Sequence, residues 1–408
     1  MRFNTDPTTY LDYSKIESKL ADLSIPYFIK PGLAVSREIS QAEEMLAEFV
    51  QARKQDSAVL LGCGSGALGV VIASQLSSGH IWLCDQTCIA LDCTSKTLEA
   101  NQIGNATIID QPSLLPDKYE AIDLVIIILP KGRKIARRWL VEASHLLKAG
   151  GFLYLAGANA EGIQSVSKDA AAIFGSPAVV LGYRKGCRVI SIQKKTKVEI
   201  PAWTQEPGIA PGTWHRFVID IGWTKFDIYS LPGVFSFDHL DEGTSLLLDH
   251  LEVKPGERVL DVGCGYGIIG IVAAQKAGAN GYVELIDANI LAVASAQKTI
   301  ANINSKNLAP IRVRANDLMA GLENEHYSLV VSNPPFHTGK AVDYTIAQAL
   351  IQQAKRVLIK NGRLLIVANR FIRYEQMMAE YFGEVRVLAQ NNRYHILSAT
   401  KFRTRPIQ

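Results

Sequence analysis

The chain has 408 residues, 48% hydrophobic and 20% charged, with 43 Lys and Arg against 39 Asp and Glu, a net charge of +4. This length exceeds one ordinary core and implies about two soluble globular domains. The near balance of charge excludes nucleic-acid binding through bulk charge, so any such contact must come from local patches. No uncharged run reaches membrane length, and residues 1–13 lack a basic-then-apolar signal pattern. Cys63, Cys84, Cys88, Cys93, Cys187 and Cys264 form no CxxC pair and read as reduced, buried residues, so a cytoplasmic protein without a metal site is expected.

In chain order, the first half alternates short apolar strands with helical stretches. The run Val59-Leu60-Leu61 enters the glycine loop Gly62-Cys63-Gly64-Ser65-Gly66, and Leu83-Cys84-Asp85 reads as the next strand, ending on an acid. The apolar segment 123–130 ends at Leu129-Pro130. After it come Lys131, Arg133, Lys134, Arg137 and Arg138 within eight residues, either a phosphate-binding patch or a solvated loop and first helical turn. Arg184-Lys185, Arg188, Lys194, Lys195 and Lys197 form a second basic group, and Lys401, Arg403 and Arg405 a third, each with the same two readings.

A Lys-rich stretch running into Pro201, Pro207-Gly208 and Pro211-Gly212 marks a boundary. We expect one domain over 1–195, a linker over 196–212 and a second domain over 213–408, opened by an alternating hairpin over 214–229.

The second half repeats the first. Pro31-Gly32-Leu33 recurs as Pro232-Gly233-Val234, and the glycine loop as Val259-Leu260-Asp261-Val262-Gly263-Cys264-Gly265-Tyr266-Gly267. Leu83-Cys84-Asp85 recurs as Leu285-Ile286-Asp287, and residues 147–151 parallel 359–363. Strands interleaved with helices over 268–277, 290–304 and 344–358 imply a doubly wound, mostly parallel α/β sheet in each half.

The chemistry converges on the carboxyl ends of these strands. Gly263, Gly265 and Gly267 let a ligand approach the backbone, and Asp287 at the end of the second strand can accept both hydroxyls of a ribose. Asn316-Asp317 ends the next strand beside the same crevice. A dinucleotide site would share these features, but Asp261 on the first strand would repel a pyrophosphate and attract an ammonium. An amino acid, a ribose and a base together describe S-adenosylmethionine. After the strand at 327–331 comes Ser332-Asn333-Pro334-Pro335-Phe336-His337. Two prolines stiffen this turn and remove two donors. Asn333 and the Pro334 main chain offer acceptors and Phe336 a flat face, which suits a planar group bearing an NH2.

On these residues, the second half resembles class I S-adenosylmethionine-dependent methyltransferases across nearly all of 230–400. In detail it is similar to the ribosomal RNA guanine-N2 methyltransferases, in which a catalytic domain follows a degenerate copy of itself. The narrow markers are Pro232-Gly233-Val234-Phe235-Ser236 with Leu240-Asp241, VLDVGCGYG, Asp287, SNPPFH and Ile366-Val367-Ala368-Asn369-Arg370. NPPF alone is shared with adenine and glutamine-amide methyltransferases.

The resemblance implies two tandem Rossmann-like domains, S-adenosylmethionine as cofactor and ribosomal RNA as partner. It implies that Asp261, Gly263, Gly265, Asp287, Ala288 and Asp317 hold the cofactor, with Gly267 and Asn316 beside them, while Asn333, Pro334, Pro335 and Phe336 hold the base. Phe235 and Asp241 are expected to close over base or cofactor, and His337 either assists the chemistry or positions loop and substrate. In the first half Leu60 stands where Asp261 stands, and Leu129-Pro130-Lys131 replaces the clamp. That half is therefore expected to lack catalysis, to keep at most residual ligand binding, and to serve as an RNA-binding arm. The rival readings are an adenine-N6 or glutamine-amide methyltransferase and a non-catalytic RNA-binding assembly protein.

Overall fold

A computed structural model describes residues 10–33, 38–112, 115–196, 199–303, 307–334 and 344–402, which fall into two compact units, Met1–Trp214 and His215–Gln408. The first unit begins with a hairpin, β1 (Ser14–Leu20) and β2 (Leu23–Ile29), and a helix α1 (Gln41–Phe49). It continues as β3 (Ser57–Leu61), α2 (Ala67–Gln75), β4 (His80–Cys84), α3 (Cys88–Ala100), β5 (Ala106–Ile109), β6 (Ile122–Ile128), α4 (Arg133–Leu146), β7 (Leu147–Ala158), α5 (Ile163–Phe174), β8 (Val179–Arg184) and β9 (Cys187–Gln193). Its seven strands lie in the order β5-β4-β3-β6-β7-β9-β8.

The second unit repeats the plan. It runs β10 (His215–Ile221), β11 (Thr224–Ser230), α6 (Glu242–Asp249), β12 (Arg258–Val262), α7 (Ile268–Ala277), β13 (Tyr282–Asp287), α8 (Ile290–Ala301), β14 (Ile311–Ala315) and β15 (Tyr327–Ser332). It finishes with α9 (Tyr344–Val357), β16 (Leu358–Asn369), α10 (Tyr374–Phe382), β17 (Val385–Gln390) and β18 (Tyr394–Thr400). The sheet order is β14-β13-β12-β15-β16-β18-β17, and only the pairs made by β18 are antiparallel.

Residues 199–214, most of which were expected to be a linker, group with the first unit. The physical reason is anchoring. Arg138 Nη1 donates to the Gly208 carbonyl, the Arg137 guanidinium lies over the Trp203 ring, and Thr204 is buried.

The central strands are covered on both faces, which is why they read as unbroken apolar runs rather than alternating ones. Leu260, Val330 and Ile366 are fully buried, as are Leu60 and Ile126 in the first unit. The helix following each glycine loop is apolar all round because it too is enclosed; in α7 only Gln275 and Lys276 are not buried. Gly267 starts α7 at φ +91° and an added Cβ there would meet Ala296 and Leu285 at 3.1 Å. The Cβ of an alanine at Gly270 would lie 2.6 Å from Leu285, so both glycines serve close helix packing. In each sheet the chain order reverses beside β3 or β12, and this opens a crevice at the carboxyl ends of the strands.

Candidate functional site

The crevice of the second unit is built from the ends of β12, β13 and β15. Gly263 and Cys264 donate their N–H groups to the Ile286 carbonyl, which pins the glycine loop to β13. Gly263 takes φ +74°, and an added Cβ there would meet nothing within 4 Å, so the loop leaves open space. Asp287 holds the rest: its Oδ2 accepts the Gly265 N–H at 3.0 Å and its Oδ1 the Asn289 N–H at 2.8 Å. Burial pushes this carboxyl up from its ordinary range. The carboxylate keeps acceptor capacity for a further donor. Ala288 follows it, half-buried.

Asp261 is fully buried on β12. Its Oδ2 accepts the Gly270 N–H at 2.9 Å, whereas its Oδ1 is buried with no partner. Burial, opposed by the Gly270 hydrogen bond and reinforced by the charge of Asp287, pushes its pKa up to about 7. An orphan carboxylate oxygen is costly unless a ligand cation or donor meets it.

Asn333 follows β15, whose last residue Ser332 is buried and donates its hydroxyl to the Val262 carbonyl at 2.7 Å. The Asn333 Nδ2 donates to Asp241 Oδ2 at 3.1 Å and to Thr244 Oγ1 at 2.8 Å. Both amide protons are thereby occupied, so the orientation of this amide follows from its partners: a carboxylate only accepts. The oxygen is the end left over. Pro334 is buried, while Pro335, Phe336 and His337 lie outside the described residues.

The loop carrying Phe235 is tied to the same site, since Asn289 Nδ2 donates to the Gly233 carbonyl at 2.8 Å. Phe235 itself is 62% exposed. Asp241 was expected beside Phe235 as a cover for base or cofactor, but it caps α6 by accepting the Thr244 N–H at 2.9 Å. Asp317 is buried at the end of β14. Asn316 differs from expectation: its side chain donates to the carbonyls of Leu318 and Ala320, so it braces its own turn instead of facing a ligand. Gly267 likewise acts in packing, as described above. Among the described residues no group of three or more His, Cys, Asp and Glu could hold a metal ion, and no helix is long and apolar enough to cross a membrane.

The first unit keeps half of this site. Asp85 accepts the Gly64 N–H at 3.0 Å and the Gln86 N–H at 2.7 Å, as Asp287 does with its own loop. The space in front is gone, because a Cβ at Gly62 would lie 3.2 Å from the Ile128 carbonyl oxygen and 3.6 Å from the Trp139 ring. The strand register places Ile128 where the second unit has Asn333.

The basic cluster after β6 is largely spent within the fold. Arg133 and Arg137 both make paired hydrogen bonds to Asp169, at 2.8 Å and at 3.0–3.1 Å, and these hold the Asp169 carboxyl below its usual range despite its burial. Arg138 is 2% exposed and pairs with Glu142 at 3.1 Å. It was expected to contact substrate, and burial removes it from any surface. Lys131 and Lys134 are exposed. Glu142 lies one helical turn from Arg138 on α4, whereas Asp169 reaches Arg133 and Arg137 from α5, so only the Asp169 pairing has no signal in the local spacing.

The sequence profile of the methyltransferase small domain matches twice, over residues 27–185 and 225–398. The ribosomal RNA small subunit methyltransferase C of Psychromonas ingrahamii is 34% identical over 286 residues, 69% of this chain and 78% of that protein. The protein of the same name from Haemophilus influenzae strain PittGG is 33% identical over 277 residues, 68% and 78% of the two chains. The solved T. thermophilus 16S rRNA N2-guanine methyltransferase RsmC, in complex with AdoMet and guanosine, aligns with a TM-score of 0.77 and 27% identity over 95% of this chain and 98% of that one. Two matching domains in one chain, an acid-bearing glycine loop and an oriented Asn333 amide thus identify it as a member of the methyltransferase small-domain family, within the ribosomal RNA guanine-N2 methyltransferases.

Proposed function

We propose that this protein transfers a methyl group from S-adenosylmethionine to the exocyclic N2 amine of a guanine in small-subunit ribosomal RNA, acting in the cytoplasm. The observation that carries this reading is the match along nearly the whole chain, in both units, to a guanine-N2 methyltransferase solved with AdoMet and guanosine. The named relatives favour neither the adenine-N6 and glutamine-amide readings nor the non-catalytic one.

The pocket fits the cofactor on its own evidence. Gly263 faces open space, Asp287 has acceptor capacity left, and the Asp261 Oδ1 is a buried orphan. In this reading Asp287 takes the ribose hydroxyls, Asp261 faces the ammonium, and Gly263, Gly265, Ala288 and Asp317 line the cradle. The cofactor supplies a methyl carbon already activated on a sulfonium. The chain supplies alignment. A guanine N2 is a poor nucleophile because its lone pair is delocalised into the ring. The Asn333 Oδ1 and the Pro334 carbonyl accept from its two N–H bonds and fix the nitrogen in line with the methyl carbon. Phe336 stacks on the extruded base, worth roughly 1–3 kcal/mol. In this reading Phe235 closes over the same pocket, while His337, outside the described residues, either assists the chemistry or positions loop and substrate. The proton leaves to water, so no strong base is required.

In this reading the second domain, 213–408, is catalytic and the first, 1–195, is a substrate arm that contacts RNA through Lys131 and Lys134. The test is incubation with labelled S-adenosylmethionine and unmethylated 16S rRNA or small subunits, followed by mapping of the methylated base. Label at a single guanine N2 that disappears with Asn333→Ala is the expected result. Label on adenine or on protein would overturn the reading.

A further inference from the structure

The Asn333 amide nitrogen is held by two acceptors at the start of α6. We infer that Asp241 and Thr244, at the start of α6, are positioning residues that hold the Asn333 amide with its oxygen toward the substrate amine. This inference rests on the function proposed above and adds two residues to its machinery.

Three hydrogen bonds carry it. Asn333 Nδ2 donates to Asp241 Oδ2 at 3.1 Å and to Thr244 Oγ1 at 2.8 Å, and the Thr244 hydroxyl donates to Asp241 Oδ2 at 3.4 Å. A free asparagine presents its amide either way round at similar cost, and the wrong way aims N–H groups at an N–H donor. Two acceptors on the nitrogen side remove that choice. The carboxylate adds a second effect. Its charge polarises the amide so that the oxygen is more negative. That oxygen then stabilises the positive charge that grows on the substrate nitrogen as the N–C bond forms.

The duplicated unit supplies an internal comparison. The offset that superimposes Gly62, Gly64 and Gly66 on Gly263, Gly265 and Gly267 places Ser40 at Asp241 and Glu43 at Thr244. There Ile128 stands for Asn333, and the helix start is a closed capping box. Ser40 Oγ accepts the Glu43 N–H at 3.2 Å, and Glu43 Oε2 accepts the Ser40 N–H at 2.8 Å and the Ser40 hydroxyl at 2.6 Å. That arrangement satisfies two orphan donors at once. The active unit gives up this better cap: its third helical residue is a threonine, whose hydroxyl turns to Asn333 instead. A purely structural cap has no reason to make that exchange. Where the asparagine is absent, Asp241 and Thr244 are replaced with it, by Ser40 and Glu43.

The test uses the full-length protein in single-turnover methylation of 16S rRNA. Asp241→Ser keeps an oxygen to cap α6 but removes the carboxylate, and Thr244→Val removes the second acceptor while leaving the backbone cap. Each is expected to lower the methylation rate constant 10- to 100-fold, with S-adenosylmethionine and RNA affinities and melting temperature near wild type. In an Asn333→Ala background Asp241→Ser is expected to cause no further loss. A wild-type rate in Asp241→Ser, or a loss that multiplies with that of Asn333→Ala, overturns the inference while leaving the proposed function standing. If the wild-type protein itself transfers no methyl to the RNA, the proposed function falls first and this inference with it.

Discussion

Asp261→Asn is the substitution in which stability and function should move in opposite directions. The wild-type carboxyl is fully buried, with one oxygen on the Gly270 N–H at 2.9 Å and the other unpartnered, and its pKa is pushed up to about 7. An unfolded aspartate titrates near 3.9, so the folded state holds its proton about 3 pH units longer. The linkage is that of a raised acid: its stability is fully present below about pH 4, is lost as pH rises through 7, and the loss saturates near 3 × 1.36, about 4 kcal/mol. Asparagine is isosteric and neutral and can still accept from Gly270, but it buries an NH2 that costs about 1–3 kcal/mol if unpaired. The variant should therefore be less stable than wild type at pH 3.5 by about 1–3 kcal/mol, and more stable by a similar amount at pH 8.5. Hydrogen exchange of β12 and its neighbours, read at both pH values, isolates this unit in a chain whose two units need not unfold together. Affinity for S-adenosylmethionine, measured by calorimetry, should fall at the same time. A stability difference that does not change with pH would refute the reasoning.

Four further outcomes follow from the geometry. Asp287→Ala strips acceptors from two loop N–H groups and should weaken S-adenosylmethionine binding at least 10-fold by calorimetry, whereas Asp85→Ala, beside a filled crevice, should leave that affinity unchanged. Gly267→Ala adds a methyl 3.1 Å from Ala296 and Leu285 at φ +91°, and should cost about 1–3 kcal/mol in thermal unfolding through overpacking and backbone strain. Lys131→Ala should flatten the salt dependence of RNA binding by about one unit of slope without changing the melting temperature. Arg138→Ala removes the buried cation that pairs with Glu142 and bonds the Gly208 and Pro112 carbonyls, and should destabilise the first unit by about 3–5 kcal/mol, seen as an early melting transition.

The sequence alone determined the duplicated α/β plan, because parallel strands enclosed on both faces and positive-φ glycine loops leave short-range signatures that need no distant partner. It also determined the candidate catalytic unit, since Asp261, Asp287 and Asn333 each sit at a strand end recognisable from its apolar run. What only tertiary structure decided is what each polar group does with its second bond. Asn316 and Arg138 look like ligands in the sequence, yet they are spent on the Leu318 and Ala320 carbonyls and on Glu142, Gly208 and Pro112. Asp241 stands 92 residues from the asparagine it orients. A hydrogen bond across that separation has no periodicity to announce it: it exists only once α6 and the end of β15 are brought together by the burial of the apolar faces on either side of the sheet.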